Sequence, residues 1–397
     1  MVLCAPREVC DMAKGCGVIC EYNPFHNGHA HQIRVIRDTL GLPTVCAMSG
    51  SFVQRAEAAC MDKYTRAANA VKGGASVVLE IPFPYCCMSA EKFAEAGVRV
   101  LAGSGMCSHI AFGAEDPDLT LLGNIADCLL SDAFRKESAA LRADAPELSY
   151  AVIRERAAAS LLGKEAADAL RRPNNILAVE YLKAIRKCGA PLIPAALPRS
   201  VSREEGVRLC EASSAHIRKL AREGRIAEAA AYMPCGAENV RDIHGAFETF
   251  IFPALAVKER TAYEHILECG AGLDGRLYKA VRAAKSTADA AEKLRCKTLT
   301  DAKIRRMLLF AFFGVTDARA EKNVSYTEIL ADAGDDTARA LLRAARKDKR
   351  IAVCRDAAQI RKDKETALDA SLAARADTVF AYAASFAAYP TERMEKT

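Results

Sequence analysis

The sequence contains no tryptophan, and only 6% of its 397 residues are aromatic. With so few large rings, its core must come from aliphatic side chains and many alanines, a composition that suits helices packed through small residues. No apolar run approaches the roughly 20 residues of a membrane span. The opening "MVLCAPREVCDMAK" carries Arg7, Glu8 and Asp11 where a signal peptide needs an apolar core. A membrane partner is therefore excluded as an expectation, and the chain reads as a cytosolic globular protein. No Cys-x-x-Cys pair occurs among the sixteen cysteines, so no tetrahedral metal set can be read off. Cys20 and Cys46 fall inside apolar runs, where a free thiol behaves as a small hydrophobe in a reducing compartment. A strong excess of one charge is also missing, since the net charge is +6. The basic residues are nevertheless clustered late, in "KIRR" (Lys303, Arg305, Arg306) and "RALLRAARKDKR" (Arg346, Lys347, Lys349, Arg350). Such stretches are the footprint expected for a polyanion partner.

Short apolar runs at 17–21, 43–48, 76–81, 108–112 and 191–196 read as strands. Helical patterns at 28–40, 62–73 and 89–103 lie between them. Strands alternating with amphipathic helices predict βαβ units and an α/β fold with a doubly wound parallel sheet. A mostly helical insertion is expected near 117–188. After the Pro- and Gly-containing "YMPCGAEN" the pattern is helical, so the chain divides into a leader at 1–16, expected to be disordered, an α/β domain at 17–232 and a helical basic domain at 233–397.

The densest chemistry lies in "GVICEYNPFHNGHAHQI", residues 17–33. Its strand should end at the crevice where open α/β sheets bind ligands. Pro24 stops the strand, and Asn27 is expected to cap a helix with the apolar stripe Ala30, Ile33, Ile36 and Leu40. Gly28 lets a ligand approach the first turn, whose amides favour an anion. His26 and His29 add two donors able to carry positive charge beside a phosphate. This His-x-Gly-His pattern after a strand resembles the nucleotidyltransferase superfamily. A second piece, "ASSAHIRKLAREG", sets Ser213 and Ser214 before a helix with Arg218 one turn in. Hydroxyls, helix amides and a planar guanidinium suit the outer phosphates of the same nucleotide.

Five longer stretches, "GVICEYNPFHNGHAH", "MSGSFVQRAEAACMDKYTRA", "LEIPFPYCCMSAEKFAEAGV", "HIAFGAE" and "RPNNILAVEYLKAI", make the chain similar to the bacterial tRNA(Met) cytidine acetate ligase family. The resemblance implies acetylation of the wobble cytidine of elongator tRNA(Met) with acetate and ATP, through an acetyl-adenylate, and Mg²⁺ with the nucleotide. It implies His26, His29 and Arg218 as catalytic groups. It implies a nucleotide-binding segment of Ile19, Cys20, Glu21, Tyr22, Asn23, Pro24, Phe25, Asn27, Gly28, Ala30, His31 and Gln32 around the histidines, joined by Gly113, Asn174, Arg199, Ser213 and Ser214. Ser49, Gln54, Arg55, Asp62, Lys63 and Arg66 are expected on the acetate and cytidine side, with Lys63 or Arg66 near pyrophosphate. The late basic residues are expected to meet the tRNA. Members usually carry Asn where Ser51 stands, Gly where Ala56 stands and a basic residue at Pro198.

Two other readings fit the same phosphate motifs. A small-molecule adenylyltransferase with a phosphopantetheine- or nicotinamide-type acceptor would share them but would not need the basic C-terminal residues. A non-catalytic tRNA-binding protein with a relic nucleotide pocket would need only the basic stretches.

Overall fold

In the computed structural model, residues 14–198, 213–320, 322–347, 350–360 and 364–387 are described. Five strands, β1 (Gly15–Cys20), β2 (Thr44–Ser49), β3 (Val77–Ile81), β4 (Cys107–Ala114) and β5 (Ile193–Pro198), pair in parallel in the order β5-β4-β1-β2-β3. Each lies within a residue or two of its apolar run. The chain winds outward from β1 to β3, then crosses back to place β4 on the other side of β1. This reversal opens a crevice beyond the carboxyl ends of β1 and β4. Because β1 begins at Gly15, the last residues of the expected leader belong to the sheet. Residues 1–13 lie outside those described.

Helices α1 (Asn27–Leu40), α2 (Lys63–Lys72) and α3 (Ala90–Gly103) make the crossovers. Close approach of α3 to β1 depends on two glycines. A Cβ on Gly97 would come within 2.6 Å of Ile19, and one on Gly17 equally near Leu101. The insertion is helical as expected: α4 (Leu119–Leu130), α5 (Asp132–Asp144), α6 (Tyr150–Leu162), α7 (Lys164–Ala169) and α8 (Pro173–Cys188). Pro173 opens α8, and Gly189 closes it in the left-handed conformation.

After β5 come α9 (Ser214–Arg222), α10 (Ile226–Ala231), α11 (Ile243–Ala256), α12 (Gly270–Ala283), α13 (Thr287–Leu294), α14 (Asp301–Phe313) and α15 (Asp317–Ala320). This part is mostly helical, as expected, and two strands interrupt it. β6 (Tyr326–Asp332) adds antiparallel to β3, and β7 (Ala352–Cys354) adds parallel to β6, with α16 (Asp336–Lys347) between them and α17 (Lys364–Phe386) last. Charge hides β6 from a sequence reading. It buries Thr327 and Glu328, whose partners are supplied by the Glu80 carbonyl and by Lys63 and Tyr64. The scarce aromatics concentrate where the helices meet the sheet. Phe52 sits 5.2 Å from Phe247 on α11, 5.7 Å from Phe313 on α14 and 6.4 Å from Phe380 on α17, so a single core spans both parts.

Candidate functional site

A cavity of about 800 Å³ opens at the predicted crevice, within the range of small-molecule sites. Ile19, Cys20, Glu21, Tyr22 and Asn23 form its floor, and His26, Gly28, His29, His31 and Gln32 line it from the start of α1. Gly113 on β4, Asn174 on α8, and Ser213 and Ser214 at the start of α9 line it as well. A Cβ built on Gly113 meets nothing within 4 Å, so this strand end is bare backbone facing open space. Arg199 lies outside the described residues.

The histidines correct one expectation. His26, not Asn27, caps α1: its Nδ1 accepts from Gly28 N at 3.1 Å. His29 Nδ1 in turn accepts from His26 N at 3.3 Å, closing a reciprocal capping box. The two rings stack with centroids 3.7 Å apart. An Nδ1 that accepts cannot carry a proton, so this geometry assigns the hydrogen of each ring to Nε2. Asn27 serves another purpose. Its amide and side chain donate to the Tyr232 and Ala231 carbonyls, at 2.9 and 3.2 Å, which tie α1 to the end of α10.

The two distant motifs do meet. Ser214 Oγ donates to the Pro24 carbonyl at 3.2 Å, and Arg218 Nη1 donates to the Asn23 carbonyl at 2.6 Å. Ser213 caps α9 by accepting from His216 N. Arg218 itself stands behind the cavity wall, 3.6 Å from Glu57, and is not among the lining residues. Pro24, Phe25 and Ala30 also turn away. Phe25 is buried edge-on to Tyr22, and Ala30 packs against that same apolar cluster.

Asn174 and Asn175 both bond Glu115, whose carboxylate takes the amides at the start of α8. Glu21 accepts from Gln54 N at 3.0 Å, and Gln54 also lines the cavity. Burial pushes the Glu21 carboxyl up, while the Gln54 amide and nearby Arg218 pull it down. Burial likewise raises the Cys20 thiol, which keeps it out of nucleophilic chemistry.

The α2 residues are not where the sequence suggested. Asp62 caps the helix through Thr65 N at 2.8 Å. Lys63, 4% exposed, is held by Glu80 at 2.9 Å, Asp377 at 2.8 Å and Glu328 at 3.4 Å. Burial opposes its charge, but the three carboxylates together hold it above the usual lysine range. Burial also drives Glu80 to about 7 against the pull of Lys63. Arg66 is fully buried and donates to the carbonyls of Met61, Glu21 and Gly50. The Ser49 hydroxyl is buried without a hydrogen-bond partner, and Arg55 is exposed, its carbonyl taken by Arg305. Of these positions Gln54 lines the cavity, and Arg66 braces it from behind through the Glu21 carbonyl.

The expected tRNA residues divide as well. Lys303 is half-buried on α14, and Arg305 also approaches Glu57 at 3.7 Å. Arg306 is buried, its Nε donating to both Glu268 oxygens at 2.9 and 2.8 Å and its Nη2 lying 2.7 Å from Oε2, which turns it inward and away from the surface. Arg350 donates to the Ala102 carbonyl. Nothing is described for the side chains of Arg346 and Lys347, and Lys349 lies outside the described residues.

The sequence reading missed the apolar wall of the cavity, formed by Val35, Phe93, Phe112, Leu177, Tyr181 and Leu197. A signal existed for part of it. Leu177 and Tyr181 stand three and seven residues after Asn174, on the same face of α8.

Comparison with known proteins adds family relationships to this geometry. The family model described as HIGH nucleotidyl transferase matches residues 13–394. The tRNA(Met) cytidine acetate ligase of Caldanaerobacter subterraneus is 33% identical over 307 residues, covering 74% of this chain and 76% of that protein. The enzyme of the same name from Syntrophotalea carbinolica is 32% identical over 359 residues, covering 84% and 83%. Among solved structures, Thermotoga maritima TmcAL bound with alpha-thio ATP superimposes with a TM-score of 0.82 at 27% identity over 97% of each chain. Its apo form gives 0.83 over 95% of each.

Proposed function

The chain belongs to the tRNA(Met) cytidine acetate ligase family of HIGH nucleotidyl transferases, and from that membership we propose how its cavity carries out ATP-dependent acetylation of the wobble cytidine of elongator tRNA(Met). An acetate oxygen attacks the α-phosphorus of ATP, and pyrophosphate leaves. The cytosine N4 amine then attacks the acetyl carbonyl of the adenylate, loses a proton, and AMP departs. The observation that supports this reading is the convergence of two motifs separated by some 190 residues. Ser214 and Arg218 bond the very turn that carries His26 and His29.

His26 and His29 are assigned to the phosphates through their Nε2–H groups, with the first amides of α1 beside them. Such donors stabilise the charge that develops on the phosphate oxygens. Arg218 adds a positive field from behind the Asn23 carbonyl rather than by lining the cavity. The bare backbone at Gly113 is assigned to adenosine, as is the apolar wall, with Asn174 at its edge. Acetate is assigned to the end near Gln54. The Mg²⁺ expected with ATP meets no preformed cage: among the described residues no group of three His, Cys, Asp or Glu gathers to hold an ion. Bound with the nucleotide, it would supply charge neutralisation at the phosphates. Residues 17–232 are proposed as the catalytic part and 233–397 as the part that meets tRNA, the second completing the sheet of the first through β6 and β7. No helix among the described residues is long and apolar enough to cross a membrane, and a cytosolic location goes with the proposed substrate.

Purified protein incubated with labelled acetate, ATP and a tRNA pool tests the reading. Label in tRNA is expected. ATP turnover with a small acceptor instead would favour an adenylyltransferase, and tRNA retention without turnover a non-catalytic binder.

A further inference from the structure

Behind the wall of the nucleotide cavity lies a second, smaller pocket of about 120 Å³. It shares no lining residue with the first. Two hydrogen bonds onto Asn23, which lines the cavity, join them: Arg218 Nη1 donates to its carbonyl at 2.6 Å and Cys60 N to its Oδ1 at 2.8 Å, both donors coming from residues that line the pocket. Three guanidinium groups, Arg218, Arg222 and Arg241, line this pocket, and Arg305 reaches its Glu57 from α14. Its two carboxylates are both occupied. Glu57 stands 3.6 Å from Arg218 and 3.7 Å from Arg305, and Asp242 caps α11 by accepting from Gly245 N at 3.1 Å. His244 accepts from Ala58 N, and burial lowers its affinity for a proton. Among the described residues four arginines thus meet two carboxylates here, and the volume suits a phosphate group with its water rather than a whole nucleotide.

The geometry points to a second anion site, one that takes a backbone phosphate of the RNA strand whose cytidine enters the neighbouring cavity. The inference rests on the tRNA reading above and specifies where the strand is held. A cytosine amine delivered to the α-phosphate end of the cavity brings its own flanking phosphodiesters along. The arginine pocket lies just across the Asn23 wall from that end. Arg222 is exposed and Arg241 half-buried, so the pocket is open to a strand arriving from outside. Guanidinium forks suit the two non-bridging oxygens of a phosphodiester.

Binding of an elongator tRNA(Met) transcript to the full chain, titrated with salt from about 50 to 200 mM, is the test, with Arg222→Ala, Arg241→Ala and Arg222→Lys compared. Each alanine variant should weaken binding about tenfold or more at low salt. Each should also reduce the slope of log affinity against log salt by about 0.7 to 0.9 for a lost phosphate contact. Arg222→Lys should retain most of the slope. Acetate-dependent ATP–pyrophosphate exchange, measured without tRNA, provides the second readout and should stay within about twofold. An unchanged tRNA slope overturns the site. So does a loss confined to pyrophosphate exchange, which would assign the pocket to the nucleotide's own phosphates. Wild-type protein that does not bind tRNA in a salt-dependent way would overturn the tRNA reading itself, and the site with it.

Discussion

Arg66 gives the sharpest contrast between a surface ligand and a buried brace. Its guanidinium is wholly buried on α2, where Nε donates to Met61 O at 3.2 Å and Nη1 to Glu21 O at 2.6 Å. Nη2 donates to the Gly50 carbonyl. One side chain thus ties the ends of β1 and β2 to the helix between β2 and β3. Replacing it with methionine keeps much of the stem but leaves three buried carbonyls without their donor. At about 1–2 kcal/mol each, the loss comes to about 3–6 kcal/mol. Relief of the desolvation cost of a buried cation returns part of that, and a net destabilisation of about 2–4 kcal/mol is expected. Urea unfolding of Arg66→Met beside wild type measures it, with ATP–pyrophosphate exchange assayed where both are folded. Glu21 lines the cavity, so a moderate rise in KM for ATP should accompany the lost stability. Had Arg66 touched pyrophosphate, the unfolding midpoint would stay put and exchange would fall about 10²–10³-fold, the cost of one transition-state donor. That result would refute the brace.

His29→Ala should lower ATP–pyrophosphate exchange by about 10²–10³-fold, while tRNA binding stays near wild type. His29→Gln should recover the lost helix cap, seen as a restored unfolding midpoint, without recovering exchange, because Gln can accept at this capping position but places no Nε2–H. Glu80 is raised from 4.5 to about 7 in the folded protein by burial. The native state then binds more protons than the unfolded state between those values, so stability should decline as pH rises from about 4.5 to 7. Glu80→Gln should flatten that decline and be at least as stable as wild type at pH 8 in thermal unfolding; an unaltered pH profile would show that Glu80 does not carry it. Ala56 holds φ +59° and is 3% exposed. For Ala56→Gly, relief of about 1–2 kcal/mol of left-handed strain faces about 0.8 kcal/mol of lost methyl burial and 0.4–1 kcal/mol, again about, of added unfolded-state freedom. The unfolding free energy should change by less than about 1 kcal/mol, and a larger change in urea melts would mean the strain or the packing is misjudged.

The strands and the nucleotide crevice could be read from the sequence because their causes are local. An apolar run, Pro24 and a helix start all act within a few residues of one another. The meeting of the two motifs was legible for another reason: each carried donors of a kind that suit one anionic ligand, which led to the expectation that they lie together. Local reading failed where a charge is explained by a distant partner. In "DKYTRAANAVK", Lys63 and Arg66 look like the wet side of an amphipathic helix. Their partners, however, come from β3, β6 and α17 for Lys63, and from the ends of β1 and β2 for Arg66. Arg306 deceived in the same way, a basic residue in a basic cluster that folds inward onto Glu268.

These hidden charges have a common location. Lys63 joins the catalytic sheet to β6 through Glu328 and to α17 through Asp377, and Ser51 donates to the same Asp377 at 2.6 Å. A buried cation among carboxylates is a costly way to gain stability, and packed apolar side chains would do at least as well. It is, however, selective about geometry, since any displacement of α17 would strand Lys63 or Asp377 without its partner. If the C-terminal part presents the tRNA while the N-terminal part activates acetate, the reactive amine must reach the adenylate with little positional error. A charged joint that tolerates one docking arrangement, beside an aromatic core that fills the same junction, is the kind of connection that such a division of labour requires.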